Sequence, residues 1–163
     1  MTRMNSKSAG AIVLGMHDAL VSLTGMIGGL TFALANRQTI VLSAVIASVA
    51  AGLSMGASNY LAEKTNENPH AIQSGILTSA AYITTCIFLI MPYFIITNTY
   101  YALACCVFVA ILIIVGCNWC IRHAHGHVWW KHALQMLVIC AIVSVISFII
   151  GEFAQYILDV KQP

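Results

Sequence analysis

Five long apolar runs occupy most of this 163-residue sequence and constrain its fold more than any other feature. A helix needs about 20 mostly apolar residues to cross the hydrocarbon core of a bilayer. Each run is that long, and none shows the short alternating pattern of barrel strands. The runs therefore predict an all-α polytopic membrane protein with one transmembrane domain over residues 1–163. Its five predicted spans are residues 11–35, 39–62, 74–97, 100–121 and 133–157.

The composition agrees with lipid as the main solvent. The chain is 60% hydrophobic and only 7% charged, whereas ordinary soluble domains are about 25% charged. A net charge of +2 without a basic stripe argues against nucleic acid as a partner. No phosphate-binding loop, Ser-His-Asp set or hydrolytic carboxylate pair appears, so we do not expect an enzyme or a permanently bound cofactor.

Lysine and arginine predict the orientation, because cytoplasmic loops carry an excess of both. Five of these residues fall on one side of the predicted spans and two on the other. The first group is Arg3, Lys7, Lys64, Arg122 and Lys131, and the second is Arg37 and Lys161. The sequence therefore predicts a cytoplasmic N-terminus.

Asp18 is the most unusual residue of the first span. It is followed at helical spacing by Ser22, Gly25 and Gly29, which places all four on one helix face. Gly25 and Gly29 form a GxxxG pair, which permits close helix approach and predicts a packing or dimer contact. A carboxylate within a span usually faces a cavity or a partner, although an interfacial position near the cytoplasmic end is the alternative for Asp18.

The second span carries a matching face at steps of three and four residues. This face consists of Ser48, Gly52, Met55, Asn59 and Glu63. Gly52 serves helix packing, and Met55 alone would be ordinary core packing. Beside Asp18, however, its thioether completes a pair of hard and soft ligands that suits a borderline divalent transition metal.

These two helices resemble the vacuolar iron transporter family. The resemblance is carried by "GMHDALVSLTGMIGGLTFA" and "ASVAAGLSMGASNYLAEKT", which are similar to the family's G-x-x-D-G-L-V-S and A-G-x-x-S-M-x-x-G-E-Y-L patterns. It implies a homodimer that exports ferrous iron, sometimes manganese, in exchange for protons, along a path lined by the first two helices. On this resemblance Asp18 and Met55 are metal ligands.

The chain departs from the family pattern at several positions. Ala19 replaces a glycine, Ser58 and Asn59 replace Gly-Glu, and Ala47 stands where several members have another glutamate. The glutamate-rich domain of larger members is absent between the second and third spans. Asn59 still offers a carbonyl oxygen as a weaker ligand, while both proton coupling and metal affinity are put in question.

Other donors are weaker candidates. His17 would serve the entrance of the path, and Glu63 continues the face of the second helix. The segment "CNWCIRHAHGHVWWKH" contains His123, His125 and His127. These histidines either collect metal in the cytoplasm or are polar residues without a metal-binding role, in an interfacial loop beside tryptophans.

The sequence therefore predicts an integral membrane protein, expected in a bacterial inner membrane, with lipid, a divalent metal ion and a second copy of itself as partners. Fe²⁺ or Mn²⁺ is the predicted transported substrate. Two alternatives stay open: a manganese transporter of the same type, or a non-transporting membrane scaffold or metal sensor that lost the family's glutamates.

Overall fold

The computed structural model describes residues 6–34, 36–125 and 129–158, and these residues form five α-helices. The helices are α1 (Ser6–Leu34), α2 (Arg37–Thr65), α3 (Ala71–Ile95), α4 (Thr99–His125) and α5 (Trp129–Leu158). No strand occurs in the described residues. Helices satisfy all their backbone hydrogen bonds internally, which is what a chain in lipid requires. The prediction of an all-α fold is therefore confirmed.

Four of the five predicted spans are confirmed by length and apolar character. They are Ala9–Ala33, Arg37–Thr65, Ala71–Ile95 and Thr99–Cys117. In α5 the described apolar segment, Ala141–Gly151, is shorter, so a fifth crossing stays a prediction. We call the end of the bundle where α1 begins the N-terminal end; α2 ends and α3 begins there.

Asparagines stand at the starts of two helices, and one strained residue follows the end of α2. Asn36 caps α2 by accepting a hydrogen bond from the Gln38 N–H at 3.0 Å. Asn98 accepts from the Tyr100 N–H in the same way at 3.0 Å. At the other end of α2, Glu67 adopts a φ of 54°, the left-handed conformation that follows many helix ends and that favours glycine.

The helix α1 lies at the centre of the bundle and packs against each of the other four. Its buried side chains, among them Leu20, Leu23 and Ile27, join side chains of α2, α3 and α4 in one apolar core. The helices α2 and α3 approach especially closely, because Gly56 and Gly75 oppose each other. A Cβ on Gly56 would lie 2.8 Å from the Gly75 carbonyl oxygen.

The glycine pair of α1 packs within one chain. A Cβ on Gly25 would lie 3.0 Å from Ser147 Oγ, and one on Gly29 would lie 3.1 Å from the Ser147 carbonyl oxygen. Both glycines are buried against α5. The expected packing role of the GxxxG pair fits this contact. The expectation that Gly25 and Gly29 face a second subunit does not fit this contact, because α5 of the same chain already covers them.

Candidate functional site

Asp18 lies near the middle of a membrane-spanning helix and is exposed at the surface of the chain. The span of α1 runs from Ala9 to Ala33, so its midpoint is residue 21 and Asp18 is about 4.5 Å from it. By length and composition, Asp18 thus falls nearer the middle of this span than either end. Such a position is costly for a charge that faces lipid.

The helix face that carries Asp18 is open in one half and covered in the other. Gly10, Leu14, Asp18 and Ser22 follow one another at four-residue steps, and all are exposed. Farther along the same face, α5 lies directly against Gly29. We call the stretch from Gly10 to Ser22 the open half-face. Asp18 is thus left without cover at mid-membrane depth.

A hydrogen-bond chain from α3 holds the helical turn that carries Asp18. The Ser22 hydroxyl donates to the Asp18 backbone carbonyl at 2.7 Å. The Ser22 and Tyr82 hydroxyl oxygens are 2.9 Å apart. Because a serine hydroxyl has one proton, and Ser22 gives it to Asp18, Tyr82 is the donor in the second bond.

Met55 lies at nearly the same depth in the bundle as Asp18. A Cβ on Gly15 would lie 3.2 Å from Thr78 Cα, and one on Gly56 would lie 2.9 Å from Ser79 Cβ, so both glycines touch α3 at one level. Asp18 lies about 4.5 Å beyond that level and Met55 about 1.5 Å beyond it, at a rise of 1.5 Å per residue. Met55 is half-buried and packs against the core. The two expected ligands therefore differ in depth by about 3 Å, on helices that pack together.

Asn59 lies at a different depth from Asp18. It is three residues from Gly56 toward the N-terminal end, which separates it from Asp18 by about 9 Å along the bundle. Its side-chain amide donates to Ser74 Oγ at 3.0 Å and to Thr78 Oγ1 at 2.7 Å. Thr78 donates its own hydroxyl proton to backbone carbonyls, so it can only accept from Asn59. The NH₂ group of Asn59 must therefore face α3. Asn59 therefore sits between Asp18 and the N-terminal end of the bundle, and its expected role as a metal ligand stays a prediction.

The remaining weaker candidates have separate surroundings. His17 is half-buried and directly precedes Asp18 in α1. The Glu63 carboxylate accepts a hydrogen bond from the Asn68 side chain, and its backbone carbonyl accepts from the Asn68 N–H at 3.0 Å. Glu63 thus fastens the α2–α3 loop to the end of α2, away from Asp18.

The histidine-rich segment lies at the end of α4 and beyond it. The side chains of His123 and His125, and the whole of His127, fall outside the described residues, so their expected roles stay predictions. Among the side chains that the structure does describe, no group of three or more His, Cys, Asp or Glu could hold a metal ion.

The polar groups of α3 were missed by the sequence reasoning. Ser74, Thr78 and Tyr82 recur at four-residue steps on one side of the third span, and all three are buried. They face α1 and α2 through the hydrogen bonds described above. The signal was this regular spacing of hydroxyl residues within an apolar run, which alone does not reveal their partners.

Comparison with known proteins adds one match. The sequence model of the VIT family matches residues 9–71 and 63–152 of the chain. The two segments overlap where α2 ends and α3 begins, and together they include all of α2, α3 and α4. No curated protein matches the chain.

Proposed function

This chain belongs to the VIT family, the vacuolar iron transporters, and we propose that it exports a divalent transition metal from the cytoplasm through a path between two copies of itself. The proposed substrate is ferrous iron or manganese. The N-terminus would lie in the cytoplasm, as the distribution of lysine and arginine indicates. The membrane we propose is a bacterial inner membrane. The predicted family resemblance is confirmed; the transport of metal by this chain is the proposal.

The exposed carboxylate of Asp18 is the observation that carries this proposal. A charged side chain at the centre of a bilayer costs about 3 kcal/mol on insertion scales, and such residues usually face a partner or a water-filled cavity. Within one chain the open half-face gives Asp18 no cover. A second copy that packs against this half-face would enclose two Asp18 carboxylates, which together attract a divalent cation.

The ligand types favour a borderline metal over magnesium or calcium. Asp18 supplies a hard oxygen, and Met55 at nearly the same depth supplies a soft thioether. Hard cations prefer oxygen ligands throughout, whereas a mixed set suits first-row transition metals. Two copies would provide two carboxylates and two thioethers, which fits Fe²⁺ best and Mn²⁺ as a second substrate.

Asp18 also supplies the proton step of the proposed antiport. It and Glu63 are the acidic residues of the four confirmed spans, and Glu63 is engaged with Asn68 at the end of α2. In our proposal, the Asp18 carboxylate holds the metal ion in one state of the cycle and a proton in the other. Asn59 would give the passing ion a neutral oxygen nearer the cytoplasm, and His123, His125 and His127 would collect metal there.

A flux assay on the reconstituted full chain tests the proposal. Proteoliposomes would be loaded with a metal-sensitive dye, and uptake of Mn²⁺ and Fe²⁺ would be followed with and without a pH gradient. We expect Asp18→Asn to abolish flux while the protein still elutes as a folded species, because the change removes a charge and preserves shape. Glu67→Gln is the matched control, since it neutralises an exposed carboxylate in a loop.

The outcomes separate the alternatives. Flux of manganese without iron would identify a manganese transporter of the same type. Full activity in the Asp18→Asn variant would remove this residue from the mechanism. Metal binding without flux in the unaltered protein would favour a membrane metal sensor or scaffold, an alternative that fits the loss of the family glutamate at Asn59.

A further inference from the structure

We infer that Tyr82 of α3 is a positioning residue for the Asp18 ion site. The inference rests on the proposed function and extends it to a helix that supplies no metal ligand there. Three observations carry it: the direction of the hydrogen-bond chain, the burial of the Tyr82 ring, and the exposure of Asp18 on the open half-face.

The chain of hydrogen bonds runs in one direction from α3 to the Asp18 turn. Tyr82 donates to Ser22 at 2.9 Å, and Ser22 donates to the Asp18 carbonyl at 2.7 Å. A serine that bonds back to the residue four positions earlier tends to bend its helix slightly. The Tyr82 hydroxyl therefore fixes the local geometry of the turn from Asp18 to Ser22, and with it the direction of the Asp18 side chain.

Tyr82 is itself buried between helices. Its exposed fraction is only 2%. Gly52 of α2 leaves room for the ring, because a Cβ there would lie 3.2 Å from Tyr82 Cδ1. The position of Asp18 thus depends on the packing of α2 against α3, which Tyr82 transmits to α1.

Loss of the Tyr82 hydroxyl should weaken metal binding, although Tyr82 does not touch the metal. Residues that orient a metal ligand without touching the metal change affinity by about 10- to 100-fold when they are lost. Tyr82 acts on the backbone of a ligand and not directly on its carboxylate, so we expect an effect near the lower end. Removing its hydroxyl should raise the half-saturating metal concentration about tenfold.

The same helix pair offers a matched control. Thr31 of α1 and Tyr93 of α3 also share a hydrogen bond, at 2.8 Å, and Tyr93 is only 1% exposed. Thr31 is nine residues beyond Ser22, or about 13.5 Å along α1. Tyr93→Phe therefore removes the same kind of bond between the same two helices, but far from Asp18.

The experiment compares Tyr82→Phe and Tyr93→Phe in the reconstituted full chain, with Mn²⁺ as the probe. Half-saturation would be measured twice, by flux into proteoliposomes and by the Mn²⁺-induced rise in Tm of the detergent-solubilised protein. We expect weaker Mn²⁺ saturation for Tyr82→Phe and unaltered saturation for Tyr93→Phe. Ser22→Ala should match Tyr82→Phe, and the double variant should be no worse than either single one, because both break one chain of bonds.

Equal changes in the two tyrosine variants, or no change in either, would overturn the inference, since Tyr82 would then act only through packing. If Tyr82→Phe does not fold, the exposed Ser22→Ala variant decides in the same way. Asp18-dependent Mn²⁺ binding without flux would refute the proposed transport. The binding data would still test the role of Tyr82. Absence of both binding and flux in the unaltered protein would overturn the proposed transport and the inference about Tyr82.

Discussion

At the residue scale, single side chains are fixed by hydrogen bonds that leave them little freedom. The amide of Asn59 gives both of its protons to α3 hydroxyls, and no buried polar side-chain atom in the described residues lacks a hydrogen-bond partner. The side-chain oxygen of Asn59 accepts no hydrogen bond among those described. An amide here thus ties α2 to α3 and, in the proposed path, would offer its oxygen to the passing ion.

Asn59→Asp should lower the Tm in detergent by several degrees at neutral pH. The carboxylate cannot donate, so it faces hydroxyl oxygens that were accepting hydrogen bonds, and an unmet bond of this kind costs about 1–3 kcal/mol. Asn98→Asp is the control, because Asn98 is exposed and its side-chain oxygen accepts from backbone N–H groups, a role that aspartate retains. The Tm of that variant should stay close to that of the parent. Similar Tm values for the two variants would contradict the tie described above.

Glu67→Gly should raise the Tm. Glu67 has a φ of 54°, and a left-handed conformation costs a residue with a side chain about 1 kcal/mol relative to glycine. The neighbouring residue is the control: Asn66 has an ordinary φ of −83°, so Asn66→Gly should only add chain entropy to the unfolded state and lower the Tm. The prediction is wrong if Glu67→Gly also lowers it.

At the element scale, the bundle depends on glycines that bring particular helices together. The sequence predicted four confirmed spans with ends within about five residues, because apolar length directly reports a membrane helix. It also predicted that Gly25 and Gly29 share a face. It could not reveal that this face meets α5, since periodicity gives the side of a helix and not its neighbour. The α3 hydroxyls stayed hidden for the same reason: their meaning depends on the register between helices.

Gly56→Ala should destabilise the contact between α2 and α3. The added methyl group would overlap Ser79 Oγ and lie 2.8 Å from the Gly75 carbonyl oxygen, which forces a backbone shift that costs about 1–3 kcal/mol. Gly28→Ala is the control, because a Cβ there meets nothing within 4 Å. Helix propensity alone should make that variant slightly more stable. Thermal melts of both variants in one detergent test this difference in sign.

At the scale of the whole molecule, one chain presents a half-open surface around its central helix. The open half-face reaches from the N-terminal end to the middle of the predicted span. Beyond that point α5 covers this face of α1. The proposed second copy would occupy this half-face. The predicted roles of Asp18 and Met55 came from residue type, helical spacing and the family resemblance, whereas the exposure of Asp18 could be learned only from the packing of all five helices.

A cysteine on the open half-face should cross-link two copies. Leu14 is exposed one turn from Asp18, so Leu14→Cys in an otherwise cysteine-free chain should give disulfide-linked dimers upon oxidation in membranes. Ile87→Cys is the control, since Ile87 is also exposed but lies on α3, and it should remain monomeric on a gel. Equal yields at both positions would show random collisions in place of a defined interface.

The open half-face also has a consequence for how activity scales with abundance. If each chain contributes one wall of the conduit, a single chain conducts nothing, and the working unit appears only by encounter in the plane of the membrane. At low protein density, flux should then grow with the square of the number of copies, and become linear only when pairing is complete. Dilution alone, without any inhibitor, would then silence the proposed transport.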